Sequence, residues 1–313
     1  MILNNIFFIF IISFVVEMIT IPVLIGISKK TNFLVDVPEG DVLKIHKKNI
    51  PLSGGLAMII SSLIGGIIFL GQGFVIKIAG VFAGLLIIFF LGFYDDLKWK
   101  HISTIKPLLK FTLLILCTFV PSVILWYVGI SFIFFPAMII SILLGFVYIF
   151  LCINAVNYQD GMDGLAGGLA GISLGGFIIL GITFNALLPL YISVLFLGTV
   201  LAFLCFNFPP AKVFMGDSGA YSLGFILAVL AMLFSEPYNI YSILGPLFII
   251  GLPIFDGVFT NIRRLAAGRS IFLGDRYHFY DKLLQKGFST KKTLTICYFM
   301  QTLLVFIGIS IYV

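Results

Sequence analysis

The sequence predicts an all-α integral membrane protein of about ten transmembrane helices, and three observations carry that reading. Of the 313 residues, 61% are hydrophobic and only 10% charged, against roughly half and a quarter in a soluble domain. Mean hydropathy is +1.19. Apolar runs of spanning length recur from end to end, without the short alternating segments of a membrane barrel. A soluble protein with one large core does not account for that repetition. No composition shift, linker or repeat divides the chain, so 1–313 reads as a single polytopic domain.

The runs fall at 4–27, 51–72, 75–93, 105–126, 135–153, 165–183, 185–206, 218–235, 239–262 and 292–312. Each suffices to cross a hydrocarbon core of ~30 Å at ~1.5 Å per helical residue. Residues 1–20 lack a basic start and a small-residue cleavage site, so they are expected to form the first membrane helix rather than a signal peptide. Cys117, Cys152, Cys205 and Cys297 lie inside apolar runs without metal-ligand spacing, and read as small core residues.

An even number of spans puts both termini on one side. Every basic residue except Lys77 lies in or beside the connections that follow the first, third, seventh and ninth runs. The positive-inside rule makes that face cytoplasmic and both termini external, in a multi-pass protein of the cell (inner) membrane. The net charge of +6 belongs to these loops and points to no nucleic acid.

The acids segregate too, apart from Glu17 and Glu236, and so do His46, His101 and His278. Acids carry little orientation signal. A face with both signs of charge, all the histidines and several glycine turns therefore reads as a site.

Four segments carry its chemistry. Asn154, Asn157, Asp160 and Asp163 recur every three residues, and Gly161 and Gly164 follow the two aspartates. Such side chains can bond an imide, a ribose or sugar hydroxyls, and the same pattern also suits a polar turn between helices. Asp217 lies between Gly216 and Ser218-Gly219 just ahead of a span, a setting for Mg²⁺ with substrate phosphates, for a helix cap, or for both. Asp95 and Asp96 close the third run, and adjacent carboxylates need a cation or proton donor nearby unless they are simply solvated. Arg263, Arg264, Arg269, Arg276 and His278 mark the last basic loop, where guanidinium forks can take phosphates or lipid headgroups. No Walker loop or Gly-x-Gly-x-x-Gly fingerprint is present. Carboxylates can serve anionic phosphates only if a divalent cation and basic groups balance them, which suits phosphoryl transfer.

These segments, in this order, resemble the polyprenyl-phosphate N-acetylhexosamine-1-phosphate transferases, the MraY, WecA and TagO group. The resemblance covers nearly the whole chain. It rests on the loop from Asp36 to Gly55, the Asp95-Asp96 pair with Lys106 downstream, Asn154 to Leu165, Asn207 to Gly219, and Pro253 with Asp256 followed by Arg263 to His278. It implies a Mg²⁺-dependent (or Mn²⁺-dependent) transfer from a UDP-N-acetylhexosamine to polyprenyl phosphate with release of UMP, by a protein of the lipid bilayer that forms a homodimer. Carried over by position, Asp217 would hold the metal with Asp96, and Asp95, Asp96 and His278 would serve the reacting phosphates. Asn154, Asn157, Asp160, Asp163 and Phe214 would form the nucleotide site, with Lys47, Lys48 and Lys106 beside it. Arg269 and Arg276 would serve the sugar-phosphate side.

Two departures matter. Leu43 stands where the family has Arg before Lys44 and His46, in a slightly longer first loop. The last motif reads His278-Phe279-Tyr280, where WecA and TagO relatives have His-x-His-His and MraY has consecutive histidines. The missing histidines place the chain nearer WecA and TagO, and favour N-acetylglucosamine over a muramoyl-pentapeptide. A lipid or solute transporter is the alternative class, and would show mid-membrane polar groups and inverted repeats.

Overall fold

A computed structural model describes residues 2–36, 49–67, 73–98, 107–135, 137–268 and 276–313. Among them the order is α1 (Ile2–Thr31), β1 (Val35–Asp36), β2 (Ile50–Pro51), α2 (Gly54–Gly66), α3 (Val75–Lys98), α4 (Pro107–Tyr127), α5 (Met138–Gln159), α6 (Leu165–Thr183), α7 (Leu187–Asn207), α8 (Gly216–Leu233), α9 (Tyr241–Ile250), α10 (Leu252–Ala266), α11 (Phe279–Gln285) and α12 (Thr290–Tyr312). Each of the ten apolar runs is mainly helical where it is described, because lipid leaves backbone groups no other partner. Eight of the described helices are long and apolar enough to cross a bilayer. The protein is an all-α, multi-pass membrane protein.

Two runs are not simple spans. The described helix of the second, α2, has 13 residues, about 20 Å of helix. The run at 239–262 divides into α9 and α10, which meet at 88°. The break falls at Gly251, whose φ of +46° suits glycine.

Breaking a helix frees backbone groups that lipid cannot satisfy. Gln301 of α12, fully buried, takes them up. Its Oε1 accepts the Leu252 N–H at 2.8 Å, and its Nε2 donates to the Ile249 carbonyl at 2.8 Å and to Ser173 Oγ at 2.9 Å. One amide side chain thereby holds both sides of the bend.

α7 and α8 lie deepest. α8 packs against α3 and α5, α7 against α1 and α6, and α12 against α9. A Cβ at Gly224 would stand 2.5 Å from the Ile153 Cα, so α5 and α8 meet backbone to backbone. α1, α4 and α12 present Phe7, Ile19, Phe119 and Phe306 outward, as lipid-facing helices do. Glu17, 0% exposed in α1, accepts a hydrogen bond from Ser61 Oγ of α2 at 2.5 Å. All four cysteines are free; Cys152 and Cys297 are buried and Cys205 is exposed.

The two short strands pair antiparallel, Val35 opposite Pro51 and Asp36 opposite Ile50. The chain then runs beside the approach to α8. Phe214 donates its N–H to the Pro51 carbonyl at 2.8 Å, and Gly54 and Gly55 donate to the Phe214 and Met215 carbonyls at 3.0 Å. The end of the first loop is thus laid along the start of the most buried helix.

The Gln301 bonds make a direct prediction. Gln301→Leu leaves the Leu252 N–H and Ile249 carbonyl without their partner, a cost of roughly 2–4 kcal/mol. Thermal unfolding of the purified protein in detergent should show a clearly lowered midpoint, and an unchanged midpoint would refute this account of the bend.

Candidate active site

The site is built around the N-terminus of α8. The first N–H groups of a helix lack intrahelical acceptors and carry partial positive charge. Asp96, at the end of α3 and 1% exposed, reaches across to them. Its Oδ1 accepts the Asp217 N–H at 2.8 Å and its Oδ2 the Ser218 N–H at 3.0 Å. A carboxylate tolerates such burial only when bonded in this way. Gly216, with φ +67°, makes room: a Cβ there would lie 2.5 Å from Asp96 Oδ2.

Asp95, 2% exposed, forms an ion pair with Lys110 Nζ from α4. Tyr221 Oη donates to Asp95 Oδ2 at 3.4 Å. The Asp217 carboxylate takes a bond from Asn157 Nδ2 at 2.8 Å on Oδ1, while its Oδ2 is 3.8 Å from Lys110 Nζ. Lys110 therefore stands between Asp95 and Asp217, which are within hydrogen-bonding reach of each other. Three carboxylates share this corner.

That donor set fits Mg²⁺. Asp95 and Asp217 face each other with Lys110 alongside, and Mg²⁺ commonly takes one or two carboxylates plus substrate phosphates. Among the described residues no group of three or more His, Cys, Asp or Glu forms an all-protein metal site. Both Asp96 oxygens accept backbone N–H groups, so it caps α8, and the carboxylates that face each other are Asp95 and Asp217.

The last turns of α5 supply the next residues. The sequence pattern suggested a turn here, yet Asn154 and Asn157 are helical, and spacing of three puts them on one face. Asn154 Nδ2 donates to the Phe150 carbonyl of its own helix at 2.7 Å. Asp160 caps α5, and the turn proper runs to Gly164. Asp163 Oδ2 accepts the Ala211 N–H at 2.9 Å. Asn207 ties the same two segments, accepting from the Gly164 N–H at 2.9 Å and donating to the Val213 carbonyl at 2.8 Å. Phe214 is half-buried where the first loop meets α8.

A second cluster adjoins. His278 is buried, with Nδ1 2.8 Å from Asp256 Oδ2 of α10. Its ring lies parallel to Tyr280 at 5.8 Å and tilted against Tyr158 at 5.2 Å. Gln159 Nε2 donates to the same Asp256 oxygen at 2.8 Å. Arg276 stands 3.7 Å from Asp281, whose carboxyl is pushed up by burial while Arg276 opposes the shift. A Cβ on Gly161 would meet Tyr280 Oη at 2.0 Å, so this tyrosine covers the 160–164 turn.

The structure thus gathers Asp95, Asp96, Asn157 and Asp217 in one cluster. His278 and Arg276 fall beside a second, joined to the first through the final turn of α5. Lys47, Lys48, Lys106 and Arg269 lie outside the described residues. Sequence reasoning passed over Lys110, Gln159 and Tyr221 as site residues. Lys110 had a signal, a cation just inside an apolar run; Gln159 and Tyr221 had none.

Comparison with known proteins identifies the family. The family described as glycosyl transferase family 4 matches residues 78–235, which include Asp95, Asp96, Asn157 and Asp217. A probable undecaprenyl-phosphate N-acetylglucosaminyl 1-phosphate transferase of Bacillus subtilis (strain 168) is 29% identical over 92% of this chain and 81% of its own. A decaprenyl-phosphate N-acetylglucosaminephosphotransferase of Mycobacterium leprae (strain TN) is 33% identical over 50% of this chain and 45% of its own. A phospho-N-acetylmuramoyl-pentapeptide-transferase of Dictyoglomus thermophilum is 31% identical over 88% of this chain and 87% of its own. With half the chain matched by the family and that last relative covered almost throughout, the chain belongs to glycosyl transferase family 4, among the polyprenyl-phosphate hexosamine-1-phosphate transferases.

Proposed function

We propose that the protein transfers N-acetylglucosamine-1-phosphate from UDP-N-acetylglucosamine to polyprenyl (undecaprenyl) phosphate and releases UMP, as the first membrane step of a cell-envelope glycan pathway. The observation that carries the reading is the Asp95–Lys110–Asp217 group at the ends of three apolar helices. A phosphate tethered by a polyprenyl tail arrives at such a position without leaving the bilayer. The Bacillus subtilis and Mycobacterium leprae relatives bear names that describe this transfer.

An oxygen of the lipid phosphate attacks the sugar-bearing phosphorus. The bond from that phosphorus to the bridging oxygen breaks, and the bridging oxygen leaves with UMP. A phosphate monoester loses its second proton near pH ~6, so the acceptor needs alignment more than a strong base. Asp95 takes any proton that remains, and Lys110 offsets the charge that accumulates. Asp217, with Asp95 opposite, would hold Mg²⁺ (or Mn²⁺), which when bound neutralises the diphosphate. Asn154, Asn157, Asp160, Asp163 and Phe214 serve the nucleotide, and Arg276 and His278 the sugar-phosphate side. The active face is cytoplasmic, both termini are external, and the working unit is a homodimer.

Purified protein given radiolabelled UDP-N-acetylglucosamine and polyprenyl phosphate should form a labelled lipid and UMP. In a donor panel, labelled UDP-N-acetylmuramoyl-pentapeptide should react poorly, and preference for it would reverse the substrate assignment. Direct attack also requires that UMP not exchange into the donor when lipid is left out. Exchange near the turnover rate would instead establish a covalent aspartyl intermediate.

Asp217→Asn should lose more than nine-tenths of turnover in Mg²⁺ while remaining monodisperse in detergent; greater residual activity would exclude an essential ligand. Lys286→Cys should react with a membrane-impermeant maleimide only after cells are opened, and labelling of intact cells would invert the orientation.

A further inference from the structure

Resting on that reading, we infer that Asp256 is a positioning residue that fixes the proton and the orientation of the His278 ring, so that Nε2 is the nitrogen presented to the donor.

Asp256 sits in α10, about one turn beyond the break at Gly251. It is largely buried and accepts three hydrogen bonds. Oδ2 takes Gln159 Nε2 and His278 Nδ1, both at 2.8 Å, and Oδ1 takes the Phe279 N–H at 2.9 Å. An ionised carboxylate only accepts, so Nδ1 must carry a proton. Thr260 Oγ1 lies 3.3 Å from the same nitrogen and offers a second acceptor. Turning the ring over would set a C–H against Asp256 and forfeit the bond. Tyr158 and Tyr280 both pack near the ring and restrict its tilt. Nε2 is therefore fixed in direction, and among the described residues no hydrogen bond claims it.

Gln159 gives the arrangement its reach. It lies two residues beyond Asn157, which bonds Asp217. The final turn of α5 thus sets the Asp256–His278 pair in register with the carboxylates of the first cluster. The plain alternative is that Asp256 only caps α11 through the Phe279 N–H. Capping would engage one oxygen and leave the histidine indifferent.

The substitution Asp256→Asn separates the two. With its oxygen kept on the Phe279 N–H, the asparagine turns an NH₂ toward Nδ1 and draws the ring proton to Nε2, the wrong tautomer for presenting a lone pair there. In a steady-state assay with UDP-N-acetylglucosamine and polyprenyl phosphate, Asp256→Asn should lower kcat/KM for the donor about 10–100-fold. His278→Gln should cost at least as much, and the double variant no more than His278→Gln alone, because the two act as one unit. Losses that multiply in the double variant would overturn the inference and leave Asp256 a structural cap.

A second measurement needs neither turnover nor a variant at Asp256. The chain has three histidines, so the ¹⁵N signals of His278 in histidine-labelled protein are assigned by their loss in His278→Gln. Wild-type His278 should carry its proton on Nδ1. A proton on Nε2 alone would overturn the inference even if Asp256→Asn fails to fold. Wild-type protein that turns over no UDP-N-acetylglucosamine would defeat the functional reading instead, with the ¹⁵N spectrum still deciding this one.

Discussion

The structure depends first on Asp96 closing the N-terminus of α8. That helix is buried nearly all round, so its leading N–H groups are shut off from both water and lipid. The capping carboxylate comes from another helix, whose last turn is thereby held against the first turn of α8. Asp95 follows by adjacency, being the neighbouring residue, and Asp217 by the same logic, being the second residue of the capped helix. The gathering of Asp95 and Asp217 is thus a by-product of satisfying a buried helix end. The glycines around it serve that contact: Gly216 leaves space for the carboxylate, and Gly92 lets α3 approach the Ser218 backbone, where a Cβ would come within 2.6 Å.

A broken helix is the second constraint. α10 leaves the bundle almost at right angles to α9, carrying Asp256 and Thr260 toward His278. An unbraced bend would expose backbone polar groups to an apolar medium, at a cost of several kcal/mol each. Gln301 removes that cost, and so sets where α10 emerges. Two polar contacts remote in sequence, one at each end of the site, help to hold it in place.

Much of this was legible beforehand. Apolar run lengths gave the long spanning helices, though not α11 or the division of α9 from α10, since in lipid a long apolar segment has one outcome. The recurrence of Asn154, Asn157, Asp160 and Asp163 marked a site, although the first two proved to be helical. The bend at Gly251 was not legible, because its two halves form one continuous apolar run and the polar group that permits it lies 50 residues downstream. The division of labour between Asp95 and Asp96 was hidden too. Adjacent identical side chains point in different directions along a helix, and only the packing of α8 decides which becomes the cap. Lys110 pairs across helices, a distance no local pattern encodes.

The long sequence separations of these contacts carry a consequence for how the protein is made. Asp96 must wait for Ser218, Asp256 for His278, and the bend at Gly251 for Gln301, which lies in the last helix. Tyr298, in that same helix, donates to the Gly164 carbonyl at 2.6 Å and so closes the turn after α5. A chain is inserted from its N-terminus, so the aspartates enter the membrane long before the groups that fix them. Until α12 arrives, α9 and α10 hold unpaired backbone at their junction, and that intermediate has reason to keep the segment straight or outside the lipid. Order of synthesis thereby becomes order of assembly: the Asp95, Asp96 and Asp217 cluster can close once α8 is made, and the bend that carries Asp256 is braced only by the last helix.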